Sequence, residues 1–210
     1  AFITVNEEGQ NTILVYGGAN MTLSATDVDK NKEAFSDADY VVAQLEIPIE
    51  AIEQAFKIAR EHKVTTVLNP APAVELPKSL LSLTDIIIPN ETEAELLSGI
   101  SIHSEKNMHQ TVAYFLNLGI STVLITLGEQ GTYYATKNEA KMIPACSVKA
   151  VDTTAAGDTF IGALVSELKP DLSNIKEAII FANQASSLTV QRKGAQVSIP
   201  TRLEVQEAYH

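Results

Sequence analysis

The sequence predicts an α/β fold built on a mostly parallel β-sheet with helices on both faces. Continuous apolar runs of strand length alternate along the chain with segments that carry apolar residues on one helical face. Strands that lack an alternating polar face are typical of parallel sheets covered on both sides. Short polar or glycine-containing motifs follow these runs, at the strand ends where ligands bind in such folds. We therefore expect a ligand site along the carboxyl edge of the sheet.

The predicted elements follow from local patterns in chain order. The first is a small β-hairpin, with strands over 1–5 and 12–16 around NEEGQN, a sequence rich in turn-forming residues. Helices are predicted where apolar residues recur at intervals of three and four. The later predicted elements are strands over 40–48, 65–72 and 121–128, a short strand running into a helix over 85–99, a second hairpin over 131–145, and helices over 49–63, 103–118, 158–168, 173–190 and from 202.

Composition and charge exclude several classes of function. The chain has 210 residues, a formal net charge of −11 and an isoelectric point near 4.8, so it could not neutralise a run of nucleic-acid phosphates. No apolar run approaches the length of a membrane span. The one cysteine, Cys146, excludes an internal disulfide and suits a reducing cytosol, so a cytoplasmic location is expected. The four histidines show no metal-ligand spacing, which argues against a zinc site.

The motif AVDTTAAGDTF, residues 150–160, places small residues and two aspartates at the start of an apolar helix. Apolar side chains recurring after it predict that this helix begins near Gly157. The first N–H groups of a helix have no intrahelical partner and lie at the positive end of its dipole, so they form an anion site. Asp158 is then either a plain cap or a base beside a bound phosphate. Asp152 adds a second carboxylate, which is costly unless a cation or proton chemistry uses it.

Three further motifs follow the ends of predicted elements, and a structural interpretation is open for each of them. In PNETEAE, residues 89–95, Asn90 and Glu93 either form a capping box or hold a hydrated Mg²⁺ and its phosphates. TLGEQG, residues 126–131, is either a bare turn or a functional loop, and neither a Walker A motif nor G-x-G-x-x-G occurs in the chain. RKGAQVSIP, residues 192–200, fits a C-capping loop with Gly194 just past a helix end.

Together, these motifs resemble those of the PfkB carbohydrate kinase family. With NPAPA (69–73), which ends the second buried strand, five motifs agree with the family in identity, order and spacing over essentially the whole chain: NPAPA, PNETEAE (89–95), ITLGEQG (125–131), DTTAAGDTF (152–160) and RKGAQ (192–196). The family commonly has glycine where this chain has Ala155, a departure that favours the members of the family that phosphorylate ribose. The resemblance implies a three-layer α/β/α fold, with a lid-type β-hairpin over 1–20 and a nucleotide-binding kinase core over 21–210.

The resemblance implies an enzyme that uses ATP to phosphorylate the 5-hydroxyl of D-ribose, giving ribose 5-phosphate. Asp158 would be the general base that takes the proton from the sugar hydroxyl as it attacks the γ-phosphate. The backbone N–H groups of Ala155, Ala156 and Gly157 would form an anion hole for the transferred group. Glu46, which ends its strand, would contact the sugar together with Asp158.

A nucleotide site and two kinds of metal site are also implied by the resemblance. Asn90 and Glu93 would organise Mg²⁺ and ATP, the metal being held through water. The nucleotide cleft would further include Thr126, Gly128, Gly131, Gly157 and Asn183. An activating monovalent cation, K⁺, would be bound by Asp152, Thr154, Thr189, Arg192, Gly194 and Ser198, and it would order the anion-hole loop without touching the substrate.

The resemblance sets two further expectations, and alternatives to it stay open. Members of the family carry a segment before the hairpin that supplies early strands and most of the sugar pocket, so we expect this chain to represent only part of the family's domain. The hairpin matches one that pairs subunits, which implies a homodimer. The alternatives are another sugar or nucleoside kinase of the same family, and a catalytically impaired nucleotide-binding module.

Overall fold

The computed structural model describes residues 2–5 and 11–209. In chain order the described strands are β1 (Phe2–Val5), β2 (Asn11–Leu14), β3 (Tyr40–Gln44), β4 (Thr65–Asn69), β5 (Ile86–Ile87), β6 (Thr122–Thr126), β7 (Thr132–Thr136) and β8 (Ala140–Ile143). The helices are α1 (Ala25–Lys30), α2 (Ile49–Glu61), α3 (Lys78–Ser82), α4 (Glu91–Ser98), α5 (Glu105–Asn117), α6 (Ala156–Glu167), α7 (Ile175–Thr189) and α8 (Arg202–Tyr209). None of these helices combines the length and the apolar character needed to cross a membrane.

The main sheet has six strands in the order in which they occur along the chain, from β3 to β8. The pairs from β3 to β6 are parallel, with Leu68 beside Ile87 and Ile87 beside Val123. These three side chains are fully buried, as expected for parallel strands covered by helices. β1 and β2 form a separate antiparallel hairpin. The predicted α/β fold with a mostly parallel sheet and an amino-terminal hairpin is therefore confirmed.

Two amphipathic helices bury apolar side chains beside the parallel strands. Phe56 of α2 lies in a buried cluster with Leu68 of β4, and Phe115 of α5 lies in a second cluster with Ile87 of β5. Each side chain of this size contributes about 1.5–3 kcal/mol when it is removed from water. Burial of these helices holds the strands in register, and the register brings the carboxyl ends of β3 to β6 to one edge of the sheet.

The described residues divide into two compact units. The first comprises the described residues of 1–16 together with 128–132 and 142–210, and the second comprises 17–127 and 133–141. In the first unit α6 packs along α7, and α7 also packs against α8. Leu164 of α6 and Ala182 of α7 are fully buried there. The division into 1–20 and 21–210 stays a prediction.

Several elements differ in extent from the sequence pattern. β3 ends at Gln44, before the predicted end, because a turn begins at residue 45. β4 ends at Asn69 because Pro70 follows and proline cannot donate to a ladder. α1 and α3 are not predicted, since six and five residues are too few to show a helical period. The predicted turn NEEGQN falls mostly on 6–10, outside the described residues.

Candidate active site

The amino terminus of α6 leaves backbone N–H groups available to a ligand. The N-cap is Ala155, in the left-handed conformation with φ 63° and ψ 11°, and its methyl side chain makes no capping hydrogen bond. Within the described ranges the N–H groups of Ala155 and Gly157 donate to no backbone carbonyl, while that of Ala156 donates to the Thr153 carbonyl at 3.2 Å. Gly157 is exposed. The start of α6 is therefore a positive helix end at which the Ala155 and Gly157 N–H groups lack a backbone partner among the described residues.

Asp158 lies one residue further along α6 and is exposed. Because Ala155 occupies the N-cap position, Asp158 is a first-turn residue and not the cap itself. It lines a cavity of about 260 Å³ together with Gly162 and Ser166 of α6 and Arg202 of α8. A carboxylate in this place is accessible to a substrate hydroxyl while it stays beside the uncapped N–H groups.

The carboxylate of Asp152 joins the loop before α6 to the loop after α7. Its Oδ1 accepts the Thr154 N–H at 2.9 Å, and its Oδ2 accepts the Gly194 N–H at 3.0 Å. Asp152 is 8% exposed. The Gly194 N–H makes the largest contribution to holding the pKa of Asp152 below its ordinary value of 3.8, followed by bonds from Thr154. The charged form of Asp152 is thus stabilised by the backbone of both loops.

The other residues predicted to bind a monovalent cation lie in the same unit as Asp152. Ser198 and Thr189 are fully buried, and the Ser198 hydroxyl donates to the Ala195 carbonyl at 2.6 Å. The side chain of Arg192 forms an ion pair with Glu204 at 2.7 Å. The described residues contain no group of three or more His, Cys, Asp or Glu that could hold a metal ion. A cation at this place would therefore depend mainly on carbonyl and hydroxyl oxygens.

Asn90 and Glu93 form the capping box at the start of α4. The Asn90 side chain accepts the Glu93 N–H at 2.8 Å, and Glu93 Oε2 accepts the Asn90 N–H at 2.8 Å. Burial raises the pKa of Glu93 above its ordinary value of 4.5, and the bond from Asn90 acts in the opposite direction. Thr126 forms a parallel bridge with Asn90, so three of the predicted nucleotide residues meet at the ends of β5 and β6.

The glycine-bracketed turn after β6 is shaped by its two glycines. Gly128 has φ 55° and Gly131 has φ 108°, both in the region that side chains disfavour. A Cβ on Gly131 would overlap the Ile143 carbonyl and lie 2.5 Å from the Ala145 nitrogen. Glycine is therefore required at 131 both for its conformation and for the close approach of a neighbouring loop.

Asn183 of α7 holds this neighbouring loop against the end of the turn. Its Oδ1 accepts the Thr132 hydroxyl at 3.0 Å, and its Nδ2 donates to the Pro144 carbonyl at 3.2 Å. Asn183 is 7% exposed. The side chain thus has a structural role, and its place in the nucleotide cleft stays a prediction.

Two groups of polar residues were not assigned from the sequence. Gln44 and Asn69, at the ends of β3 and β4, are joined by a 3.1 Å hydrogen bond, and Asn69 also donates to the Ile88 carbonyl at 2.8 Å. Their position at strand ends was the available signal. In α7, the Ser186 hydroxyl donates to the Ala156 carbonyl at 2.7 Å, and no sequence pattern distinguishes this serine from its neighbours.

The structure places the predicted site residues in two sets. Those of the first unit are Gly128, Gly131, Asp152, Thr154, Ala155, Ala156, Gly157, Asp158, Asn183, Thr189, Arg192, Gly194 and Ser198. Those of the second unit are Glu46, Asn90, Glu93 and Thr126. Glu46 is exposed in the turn after β3, at the same edge of the sheet as Asn90 and Thr126 but without a bridge to them.

Comparison with known proteins gives a consistent family assignment. The model of the pfkB family of carbohydrate kinases matches residues 1–202. The ribokinase of Staphylococcus aureus is 64% identical over 207 residues, which cover 99% of this chain and 68% of that protein. The bifunctional ribokinase/ribose-5-phosphate isomerase A of Fructilactobacillus sanfranciscensis is 57% identical over 202 residues, which cover 96% of this chain and 37% of that protein. The chain thus spans about two thirds of the first relative and just over one third of the second.

Two solved structures share the fold of this chain closely. The structure of Arabidopsis thaliana ribokinase complexed with ribose and ATP has a TM-score of 0.89 and 33% identity, and the match covers 98% of this chain and 67% of that one. The ribokinase structure from Thermotoga maritima has a TM-score of 0.86 and 37% identity, with 98% of this chain and 67% of that one covered. The fold therefore agrees with that of solved ribokinases over 98% of this chain.

We expect Asp152→Asn to destabilise the chain by about 1–3 kcal/mol at pH 7, because the asparagine amide would leave one of two backbone N–H groups without an acceptor. Urea unfolding of both proteins measures the difference. Because the pKa of Asp152 is depressed in the folded chain, its contribution is complete above about 3.8 and is lost as the pH falls through the folded value. The difference between parent and variant should therefore narrow below pH 3.8.

The exposed Asp39→Asn is the matched control for the loss of one charge, and it should leave the free energy of unfolding within about 0.5 kcal/mol of the parent. Equal stability of the Asp152 variant and the parent at pH 7 would contradict a stabilising role for the two hydrogen bonds that the Asp152 carboxylate accepts.

We expect Ala155→Gly to stabilise the chain by about 0.5–1 kcal/mol, because glycine removes the strain of a Cβ in the left-handed conformation. Thermal or urea unfolding measures the change. Ala163→Gly, in the interior of the same helix, should instead destabilise by about 1 kcal/mol. Destabilisation by both changes would show that the positive φ of Ala155 carries no strain.

Proposed function

The chain belongs to the pfkB family of carbohydrate kinases, and we propose that it transfers the γ-phosphoryl group of ATP to the 5-hydroxyl of D-ribose. The observation that carries the proposal is the start of α6, where uncapped N–H groups adjoin the exposed Asp158 carboxylate. The identity of 64% to a ribokinase supports ribose as the sugar. A cytoplasmic location is proposed with it, since the single Cys146 suits a reducing compartment.

In the proposed reaction Asp158 is the general base. Its carboxylate takes the proton from the sugar 5-hydroxyl as that oxygen bonds to the γ-phosphorus, while the bond from phosphorus to the ADP oxygen breaks and ADP leaves. The N–H groups of Ala155, Ala156 and Gly157 stabilise the charge on the transferred group. The Ala156 N–H already has a long bond to Thr153, so the donors of Ala155 and Gly157 are the more available ones. Positioning and charge stabilisation are the main demands of phosphoryl transfer.

Asn90 and Glu93 are proposed to organise Mg²⁺ and ATP through water. The capping box uses Glu93 Oε2 and leaves the other carboxylate oxygen outside that bond, while Asn90 is exposed. This suits Mg²⁺, which keeps several waters and takes few carboxylates. The metal would neutralise phosphate charge. Thr126, Gly128, Gly131, Gly157 and Asn183 are proposed to line the nucleotide site, and Glu46 to contact the sugar.

A monovalent cation, K⁺, is proposed at the residues around Asp152. The support for it is chemical: Asp152, the carbonyls of the 189–194 segment and the buried Ser198 hydroxyl offer oxygen ligands near the loop that begins α6. By holding that loop, the cation would favour the conformation in which the N–H groups of the anion hole converge. Thr154, Thr189, Arg192 and Gly194 complete the proposed set.

We expect ribose-dependent release of ADP from Mg²⁺ and ATP, stimulated by K⁺ relative to tetramethylammonium at equal ionic strength. Asp158→Asn should reduce the turnover number by about 10²–10⁴-fold, since it removes the general base. ATP binding, measured by calorimetry, should change little. The assay compares D-ribose with fructose and adenosine in each cation.

Asp37→Asn, an exposed carboxylate of the second unit, is the matched control and should keep the parent's turnover. Near-normal turnover of the Asp158 variant would contradict its role as base, and equal turnover in both cations would contradict the K⁺ site. Turnover with fructose or adenosine but not ribose would indicate another kinase of the family. ATP binding without turnover would indicate a nucleotide-binding module.

A homodimer is proposed on the basis of the hairpin. Phe2 and Leu14, at its ends, are 69% and 73% exposed, and Tyr16 just after it is 91% exposed. Apolar side chains this exposed on a two-stranded hairpin favour burial against a partner.

Light scattering after size exclusion should give about twice the chain mass, and Leu14→Asp should shift the population toward monomer. A parent that is monomeric at micromolar concentration would contradict the proposal.

A further inference from the structure

A serine of α7 contacts the first turn of α6 through the backbone. The Ser186 hydroxyl donates to the carbonyl oxygen of Ala156 at 2.7 Å, across 30 residues of sequence. Ser186 is half-buried in the face of α7 that packs on α6. A carbonyl oxygen has two lone pairs, so this bond can coexist with the ordinary helical bond to the same oxygen. The Ser186 hydrogen bond is therefore additional to the backbone hydrogen bonds of α6.

The Ala156 carbonyl and the Gly157 N–H belong to one peptide unit. That unit is planar, so a side chain that fixes the direction of the C=O also fixes the direction of the N–H. A donor on the carbonyl also polarises the peptide and strengthens its N–H as a donor. We propose that Ser186 is a positioning residue for phosphoryl transfer, whose hydroxyl aims and strengthens the Gly157 N–H. The inference rests on the proposed function of Gly157 in the anion hole.

A second contact one turn further along both helices supports this role. The Thr189 hydroxyl donates to the Thr159 hydroxyl at 3.0 Å, and these threonines are 0% and 4% exposed. Residues three apart lie on the same face of a helix, so the Ser186 and Thr189 contacts form two consecutive links between α7 and the start of α6. Two links fix the rotation of the first turn about the helix axis, which one link alone would leave free.

The opposite flank of the same turn is fixed by Asp152. Its carboxylate accepts the Thr154 N–H, and the Ala155 residue between this bond and the α6 turn is held in the left-handed conformation. The peptide that carries the Gly157 N–H thus lies between a carboxylate contact on its amino-terminal side and a hydroxyl contact on α7. Ser186 is the side chain bonded to that peptide itself.

Ser186→Ala removes this hydroxyl with little other effect, because alanine is the strongest helix former and loses no apolar contact. The neighbouring Ser187→Ala is the matched control, since the Ser187 hydroxyl donates to the Gln184 carbonyl at 2.6 Å and contacts Tyr209 instead of α6. Ser186→Thr keeps the hydroxyl and serves as the conservative rescue.

The first measurement is the ¹H–¹⁵N NMR signal of the Gly157 amide in the chain without ligand. We expect it to move in Ser186→Ala, to stay near the parent position in Ser187→Ala, and to return toward it in Ser186→Thr. The second measurement is turnover with Mg²⁺, ATP and D-ribose. Ser186→Ala should lower kcat about 10-fold with KM for ATP within about twofold, because a displaced donor affects the transition state more than nucleotide binding.

The two measurements separate failure of this inference from failure of the proposed function. An unmoved Gly157 signal in Ser186→Ala overturns the inference whether or not the parent turns over. A moved signal with parental kcat overturns the role of Ser186 in transfer. Absence of ribose-dependent turnover in the parent overturns the proposed function, and with it the positioning role of Ser186 in transfer. The NMR signal still decides whether the Ser186 hydroxyl orients the Gly157 peptide. An equal loss of kcat in both alanine variants would indicate a general effect on α7.

Discussion

The geometry of the first unit depends on a single buried carboxylate that joins two loops by their backbones. Asp152 accepts one N–H from the loop that leads into α6 and one from the loop that follows α7. These loops are about 40 residues apart in the chain, and α6 and α7 lie between them. Because the carboxylate is charged and mostly buried, its two bonds are charge-assisted and are poorly replaced by water. The helix pair is thereby closed at the end that carries the proposed anion hole.

In the proposed function, the chemistry at the start of α6 would rest mainly on the backbone. Ala155 contributes a conformation, and Gly157 contributes an accessible N–H, while the side chains of Asp152 and Ser186 fix the peptides that carry these groups. In the proposed reaction, small residues would line the surface that the phosphoryl group approaches. Asp158, in the first turn of α6, would supply the titratable group.

The sequence was most informative where local pattern decides structure. Apolar runs identified β4 and β6, capping chemistry identified the start of α4, and small residues before an apolar stretch identified the start of α6 within one residue. It did not predict the bond of Ser186 to α6 or the pairing of Gln44 with Asn69, since these contacts join segments 25 or more residues apart. A hydroxyl in the middle of a helix has the same local signature whether it faces solvent or a catalytic peptide. The double role of Asn90 and Glu93 was equally open, because a capping box and a hydrated metal site require the same residue types.

The bonds of Asn183 have an entropic consequence for any nucleotide that the chain binds. The Asn183 oxygen accepts the Thr132 hydroxyl at the end of the glycine-bracketed turn, and its nitrogen donates to the Ile143 and Pro144 carbonyls. The side chain thus joins the turn to the 143–145 segment. The conformational freedom of these loops is therefore given up during folding, when it is offset by the burial of α7, and not at the moment of binding. A ligand that meets a preorganised loop loses less of its interaction energy to ordering the protein. In the proposed nucleotide site, the buried amide would favour binding because it keeps the neighbouring loops ordered before the nucleotide arrives.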